Sequence, residues 1–227
     1  MKNNQTGRSM IEMLGVLAII GVLSVGGIAG YSKAMAKFRA NKTIDQISHI
    51  VANTRILFGS QKNYLALGAT PGNPTLLSDA NIIPDEMKIS TKAANEEASM
   101  ANSFMNPYSG QVRIYVIGRS SATDNRAFII EYSGIPKDAC IDLASQDWNS
   151  SSGSGLLAFS VNDTSALENK FYGSCASSTT AAAAATETTE ATNGGATTCA
   201  IEMPMAVGTA LGACNSTTDN KLAWKFY

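Results

Sequence analysis

A run of twenty residues without a charged side chain, residues 13–32, lies close to the start of this 227-residue chain. At about 1.5 Å per residue, an α-helix of that length spans roughly 30 Å, which is the thickness of the hydrocarbon core of a bilayer. The run therefore predicts a helix that can cross a membrane.

Three ordinary explanations compete for this run. A removable secretory signal would be cut after a shorter apolar stretch, and residues 34–36 (Ala-Met-Ala) offer a cleavage site of the right kind. A plain signal anchor explains the length but leaves Glu12, at the entrance of the run, without a purpose, although an unpaired charge there costs a few kcal/mol. A buried helix of a globular protein is disfavoured by the length.

The charges of the chain are divided unevenly. Residues 1–62 contain eight basic and two acidic side chains, whereas residues 63–227 contain nine basic and sixteen acidic ones. A basic stem thus precedes an acidic remainder, and the net charge is only −1. This balance argues against a nucleic-acid partner. The hydrophobic fraction of 44% excludes wholesale disorder.

The segment before the apolar run reads Gly7, Arg8, Ser-Met-Ile and Glu12, followed by aliphatic residues. This order resembles the class III signal of type IV prepilins. The resemblance implies that a prepilin peptidase removes residues 1–7, that Arg8 becomes the methylated amino terminus, and that Glu12 meets the free amine of a neighbouring subunit. Two charges that are costly alone in hydrocarbon would then neutralise each other on assembly. Arg8 stands where the family usually has an apolar residue.

Five glycines interrupt the apolar run: Gly15, Gly21, Gly26, Gly27 and Gly30. Each lowers helix propensity by up to about 1 kcal/mol relative to alanine, and small residues also let helices approach closely in lipid. Ordinary packing between membrane helices is one interpretation. The resemblance implies another, in which Gly21 and the segment from Gly26 to Gly30 let the helix unwind locally inside a filament.

Beyond the apolar run the helical pattern continues. The residues Ile44, Ile47, Val51, Thr54 and Phe58 are spaced by three or four, which predicts a single helix over 9–58, ended by Gly59. Residues 8–32 form its apolar half, and residues 33–59 form an amphipathic half that lies on a sheet. His49 falls on the polar side, where a solvated histidine is expected.

The rest of the chain, 60–227, predicts an α+β head. Strands are expected at 111–117 and 127–132, joined as a hairpin, and at 156–161 and 222–227. Short helices are expected at 75–80, from Pro136 to about residue 147, and from Pro204, the last with Val207, Leu211 and Cys214 on one face.

Two segments of the head, IPKDACIDLASQDW and the terminal NKLAWKFY, resemble those of type IVb pilins. The resemblance implies the type IV pilin fold: a long N-terminal helix packed on a mostly antiparallel sheet, with a disulfide-bonded loop near the C-terminus.

Four cysteines, Cys140, Cys175, Cys199 and Cys214, allow three disulfide pairings. Their spacing lacks the close pairs of a zinc site. We favour disulfides because the head is expected to be exported, although the basic residues that follow the apolar run would alone place the head in the cytoplasm. Our preferred pairs are Cys140 with Cys214, and Cys175 with Cys199.

Residues 176–198, between the two middle cysteines, include eight alanines and eight threonines. Such a stretch cannot bury enough apolar surface to offset the cost of ordering, so it predicts an exposed loop. A tolerated insertion, a variable contact surface and a glycosylated loop are all compatible with it.

We find no phosphate loop, nucleophile elbow or metalloprotease motif, so no enzyme, catalytic residue or cofactor is predicted. Asp219 alone is a thin basis for a calcium loop. By resemblance, the chain is expected to be a structural, self-polymerising pilin that depends on a prepilin peptidase, an assembly platform and an ATPase. It would start in the bacterial inner membrane and end in an adhesive surface filament. The alternatives are a minor pilin, a secretion pseudopilin, or a membrane-tethered periplasmic binding protein or enzyme that never polymerises.

Overall fold

The computed structural model describes residues 8–61, 63–88, 104–119, 124–148, 155–162, 185–187, 199–201 and 204–227. The chain divides into two compact units, Met1–Asn41 and Lys42–Tyr227. The described part of the first unit is entirely helical, and the second unit contains the sheet and the core. The predicted leader, residues 1–7, lies outside the described residues.

The first helix, α1, runs without a break over Arg8–Phe58 and is followed directly by Gly59. It confirms the helix predicted over 9–58. Within the second unit, one face of α1 enters the core through Ile47, Ile50 and Phe58, which are at most 3% exposed. The three-and-four spacing of apolar residues produces this face.

An ion pair and a hydrogen bond fix the polar flank of the same part of α1. The carboxylate of Glu86 lies 2.9 Å from the Lys42 ammonium and accepts a hydrogen bond of 2.8 Å from the Gln46 amide. These interactions, together with the buried face, tie the helix to the 3₁₀ turn Asp85–Met87.

Five strands form one antiparallel sheet: β1 Phe104–Met105, β2 Gln111–Ile117, β3 Ala127–Ile135, β4 Leu156–Val161 and β7 Asn220–Phe226. Their order across the sheet is β1-β2-β3-β7-β4. The β2–β3 hairpin and β4 are confirmed as predicted, whereas the two-residue strand β1 was too short to leave a sequence pattern.

The strand β7 occupies a central position, between β3 and β4. The sequence predicted a strand with one buried face, formed by Leu222, Trp224 and Phe226, and these residues do lie in the main core. However, Ala223 and Lys225 on the opposite face are also at most 1% exposed. A strand paired on both sides and covered on both faces cannot be recognised from alternation alone.

Three short helices complete the head: α2 Pro74–Asp79, α3 Lys137–Ala144 and α4 Val207–Ala213. The helix α2 is confirmed, with the Asn73 side chain accepting a hydrogen bond from the Leu76 amide at its start. The end predicted for α3, near residue 147, is wrong. The helix stops at Ala144 because the chain turns there, and the Trp148 indole donates a hydrogen bond of 2.8 Å to the Leu143 carbonyl.

The prediction for α4 is wrong in its start, and of the three residues predicted to share a face only Cys214 is buried. The helix begins at Val207 instead of Pro204, and its buried residues are Ala210 and Ala213. Val207 and Leu211 are 57% and 48% exposed. Small residues face the core here because α4 packs against α3 next to a disulfide. The spacing of apolar residues does not distinguish small from large side chains, so it cannot predict this face.

Two short strands, β5 Ala185–Glu187 and β6 Cys199–Ile201, pair antiparallel as a second sheet. The sequence predicted an exposed loop over 176–198. Residues 185–187 of this stretch form a strand, and its other residues lie outside the described ranges, so its exposure stays a prediction. Threonine favours extended backbone, and pairing satisfies backbone groups without requiring large apolar side chains.

Candidate functional site

The N-terminal part of α1 presents an apolar surface on every side. Every residue from Met10 to Ala34 is exposed, and the helix is long and apolar enough to cross a membrane. Soluble monomers rarely expose apolar patches of more than a few hundred Å². The largest exposed side chains of this segment are Met10, Ile11, Met13, Leu14, Val16, Leu17, Ile19, Ile20, Val22, Leu23, Val25, Ile28 and Tyr31.

Glu12 is the single ionisable group between Met10 and Gly30. Its side chain is exposed between Ile11 and Met13, and it makes no ion pair or hydrogen bond with the residues that the structure describes. A carboxylate in such surroundings needs a partner from another molecule when water is removed. Arg8 is the first residue of α1, one helical turn before Glu12, and Gly7 lies outside the described residues.

The glycines of this segment make no close contacts with the described residues that would require a glycine. A Cβ placed on Gly21, Gly26, Gly27 or Gly30 has no heavy atom within 4 Å, and α1 remains helical through all four. Contacts with the described residues therefore do not explain why small residues stand at these positions. Local unwinding is a filament property and stays a prediction.

One polar side chain of the apolar segment is satisfied internally. The hydroxyl of Ser24 donates a hydrogen bond of 2.7 Å to the carbonyl of Ile20, one turn earlier. Such back-bonding lets serine enter a lipid-like environment without an unpaired donor. Among the side chains that the structure describes, Glu12 has no comparable internal hydrogen bond, which sets it apart from Ser24.

A disulfide closes the head. Cys140 of α3 is bonded to Cys214, which directly follows α4, and both are fully buried. This confirms the first of the two predicted pairs. The second pair stays a prediction, because Cys175 lies outside the described residues and Cys199 is described only as part of β6.

Asparagine side chains hold the segment between the disulfide and β7. The fully buried Asn220 donates to the carbonyls of Ile135 at 3.0 Å and Ser216 at 2.7 Å. Asn162 donates to the Ala213 carbonyl at 2.9 Å and accepts from the Lys221 amide at 2.8 Å. These bonds connect the end of α4 to β3 and β4.

Asp219 has a structural role in this segment. Its carboxylate accepts a hydrogen bond of 3.0 Å from the Gly134 amide. No group of three possible metal-ligating side chains occurs in the described part of the chain. The suggestion of a calcium loop around Asp219 therefore finds no support in its contacts. His49 is exposed beside Asn53, as expected for a solvated histidine.

Burial changes the acid–base properties of two side chains in the core. Desolvation lowers the pKa of Lys225 to about 8, although the charge of Asp124 opposes the shift. Desolvation, with a smaller contribution from the charge of Glu86, raises the pKa of Tyr132 far above its ordinary value. The sequence did not single out either residue, because nothing local shows that both faces of the sheet are covered.

A comparison with protein families matches the chain to the PilS N-terminal family over residues 37–193, which is more than two thirds of the chain. The chain is also 24% identical over 171 residues to the major structural subunit of the bundle-forming pilus of Escherichia coli O111:H-. That alignment covers 74% of this chain and 79% of the relative.

Two solved structures are similar to this chain in a structural comparison. A type IVb pilin from Salmonella typhi has 13% sequence identity and a TM-score of 0.49, over 81% of this chain and 97% of that one. A type IV pilin from Vibrio cholerae El Tor biotype has 15% identity and a TM-score of 0.47, over 83% and 99% of the two chains.

Proposed function

Because this chain belongs to the PilS N-terminal family of type IV pilins, we propose that it is a structural subunit of a type IV pilus. The relative from Escherichia coli is named as a major structural subunit, which supports the same non-enzymatic role here. The observation that carries the proposal is the exposed apolar half of α1, in which the Glu12 carboxylate has no partner among the described residues.

Processing precedes assembly. A prepilin peptidase cuts between Gly7 and Arg8, and methylation follows on the new terminal amine. Residues 8–32 then anchor the subunit in the bacterial inner membrane, with the disulfide-bonded head on the outer side. The Cys140–Cys214 bond supports this orientation, because disulfides persist in oxidising compartments outside the cytoplasm.

Assembly moves the apolar half of α1 from lipid into a bundle of equivalent helices. Lipid tails are about as apolar as leucine, so this transfer gains little hydrophobic free energy. Close packing at the glycines and the pairing of Glu12 with a neighbour's terminal amine therefore decide the equilibrium. An assembly platform and an ATPase extract the subunit, and the finished filament lies on the cell surface, where it makes adhesive contacts.

The test combines two measurements on the full-length protein expressed with its assembly machinery. Mass spectrometry of the mature protein is expected to show a methylated terminus at Arg8. The Glu12→Ala variant is expected to insert into the membrane normally but to give few or no filaments in the sheared surface fraction. The matched control, Ser24→Ala, removes a hydroxyl that is already satisfied within α1 and is expected to leave the yield unchanged.

Other outcomes would contradict the proposal in different ways. A chain that keeps its first methionine, or is cut near Ala36, carries a different signal. If Glu12→Ala leaves localisation and activity unchanged and the unmodified protein forms no filaments, the chain would be a membrane-tethered periplasmic protein that does not polymerise. A processed subunit that occurs only in trace amounts in sheared fibres would be a minor pilin or a secretion pseudopilin.

A further inference from the structure

A cavity of about 420 Å³, widely open to solvent, lies in the second unit at the end of α1 and near the connection between β2 and β3. Its walls include the aromatic residues Phe58, Tyr64 and Tyr227, together with Arg119, Arg126 and Asn63. The described lining thus combines aromatic rings with two permanent positive charges and contains no acidic side chain. None of these residues belongs to the assembly surface described above.

The aromatic wall is held firmly. The ring of Tyr64 packs 5.5 Å from that of Phe58 and 4.9 Å from that of Phe128. Its backbone amide donates a hydrogen bond of 2.8 Å to the Asn125 carbonyl. Burial raises the pKa of the Tyr64 phenol, against the opposing charges of Arg55 and Arg119. The phenol therefore stays neutral at physiological pH and keeps its proton.

The positive charge at the cavity is positioned by aromatic contacts. The Arg119 guanidinium lies 4.0 Å over the ring of Tyr227, a favourable cation–π geometry. Behind it, the Arg55 guanidinium lies near the same ring and donates a hydrogen bond of 3.0 Å to the Tyr227 carbonyl. Neither Arg119 nor Arg126 forms an ion pair with any residue in the described ranges.

Asp124, the acid in the same turn, is occupied by backbone contacts. Its Oδ1 accepts hydrogen bonds from the amides of Arg119 at 2.7 Å and Arg126 at 3.2 Å. It also favours the charged form of Lys225. The Asp124 carboxylate thus links the backbone amides of Arg119 and Arg126, and both arginines line the cavity.

We propose that this cavity binds a small sugar acid. Guanidinium groups bind carboxylates through two parallel hydrogen bonds, which assigns the acid group to Arg119 and Arg126. The Arg119 guanidinium covers the ring of Tyr227. Amphipathic aromatic rings suit the apolar face of a sugar ring, which assigns the sugar ring to Tyr64. The volume falls in the range of small-molecule sites. This activity is independent of filament assembly.

The test uses full-length protein in detergent micelles, titrated by calorimetry with N-acetylneuraminic acid and with glucuronic acid. We expect saturable binding of at least one sugar acid and no binding of its methyl ester, which lacks the charge. Arg119→Gln and Arg126→Gln should each weaken binding roughly tenfold or more, as expected for the loss of a charged hydrogen-bond partner. Arg126 is exposed, so its replacement keeps the fold intact even if Arg119→Gln does not.

The matched control is Arg113→Gln. Arg113 lies on β2, where its guanidinium is 3.5 Å from the Glu131 carboxylate, and its replacement should leave the affinity unchanged. The proposal is overturned if acid and ester bind equally, if Arg126→Gln binds normally, or if neither sugar acid binds at millimolar concentration. Absence of binding combined with reduced filament yield in Arg126→Gln would identify the cavity as a contact for an acidic side chain of a neighbouring subunit.

Discussion

The two units differ in how far their apolar side chains are buried. In Lys42–Tyr227, large residues such as Ile50 and Trp224 are fully buried, whereas in Met1–Asn41, Val22 and Leu23 are 75% and 68% exposed. One uninterrupted helix contributes to both units. The head buries its apolar side chains within the subunit. The apolar side chains of the N-terminal segment can be buried only in lipid or against other subunits. Mutations should therefore separate folding from assembly.

The largest effect on folding is expected from loss of the Cys140–Cys214 bond, which joins residues 74 positions apart. Replacing both cysteines with serine should lower the free energy of unfolding of the head by about 4 kcal/mol, because the unfolded chain gains conformational freedom. Urea denaturation of the full-length protein in detergent, followed by tryptophan fluorescence, measures this change. Membrane insertion of α1 should be unaffected, and a parallel loss of insertion would contradict the separation of the two units.

A matched pair of isoleucines on α1 tests which face of the helix is buried in the head. Ile50 is fully buried and Ile56 is 80% exposed. Ile50→Ala should destabilise the head by about 3 kcal/mol because it leaves a cavity, whereas Ile56→Ala should change stability by no more than about 0.5 kcal/mol. Thermal unfolding of both variants provides the comparison. Similar effects of the two substitutions would show that this face of the helix is not the one that packs on the sheet.

The buried Lys225 predicts an unusual dependence of stability on pH. Its pKa falls from an ordinary 10.5 to about 8 in the folded head, so below pH 8 folding must bury a charge that the unfolded chain keeps in water. Stability should rise as the pH increases from 8 towards 10. It should fall above about pH 10, where the unfolded chain ionises its tyrosines while burial raises the pKa of Tyr132 in the folded head.

Lys225→Met removes this penalty and should stabilise the head at pH 7 by about 1–3 kcal/mol, with a difference that shrinks towards pH 10. Denaturation series at several pH values measure it. Lys221→Met, on an exposed residue of the same strand, is the control and should show neither the gain nor its pH dependence. Equal curves for Lys225→Met and the unmodified protein would mean that the ammonium is well compensated where it lies.

The smallest effect on the isolated subunit is expected at the glycines of α1. Gly26→Ala meets no atom within the subunit and should raise helix stability by up to about 1 kcal/mol without changing the unfolding of the head. It should nevertheless lower filament yield, because close packing or unwinding at this position involves other subunits. Unchanged filament yield would limit these glycines to a role in the membrane.

Gly72→Ala is the corresponding change in the head. Gly72 has a φ of +103°, and an added Cβ would overlap the Ile114 carbonyl. This variant should therefore destabilise the head itself. The contrast between Gly26 and Gly72 separates a glycine required by neighbours from one required by its own backbone.

Much of the fold could be predicted from local patterns. The bounds of α1, the strands β2 and β4 and the β2–β3 hairpin follow from apolar spacing and β-branched residues. The Cys140–Cys214 pair was also predicted. The sequence identified Glu12 and the glycines. The structure adds that, within the described part of one subunit, Glu12 has no ion pair or hydrogen bond and the glycines have no close contacts.

Other features depended on tertiary context. Nothing near Lys225 indicates that β7 lies between two strands with both faces covered. The face of α4 was mispredicted because its tight packing selects alanine over Val207 and Leu211. The cavity at Arg119 and Arg126 brings together segments far apart in sequence, and each arginine taken alone resembles an ordinary solvated charge.

The central position of β7 also determines when the head can be completed. Its partner β3 ends 85 residues before β7 begins, and until Asn220–Phe226 arrives, β3 and β4 each expose an unpaired edge. Because the chain is synthesised from its N-terminus, the sheet cannot close until this late strand is available. A shortened chain that lacks β7 would present open edges that favour aggregation.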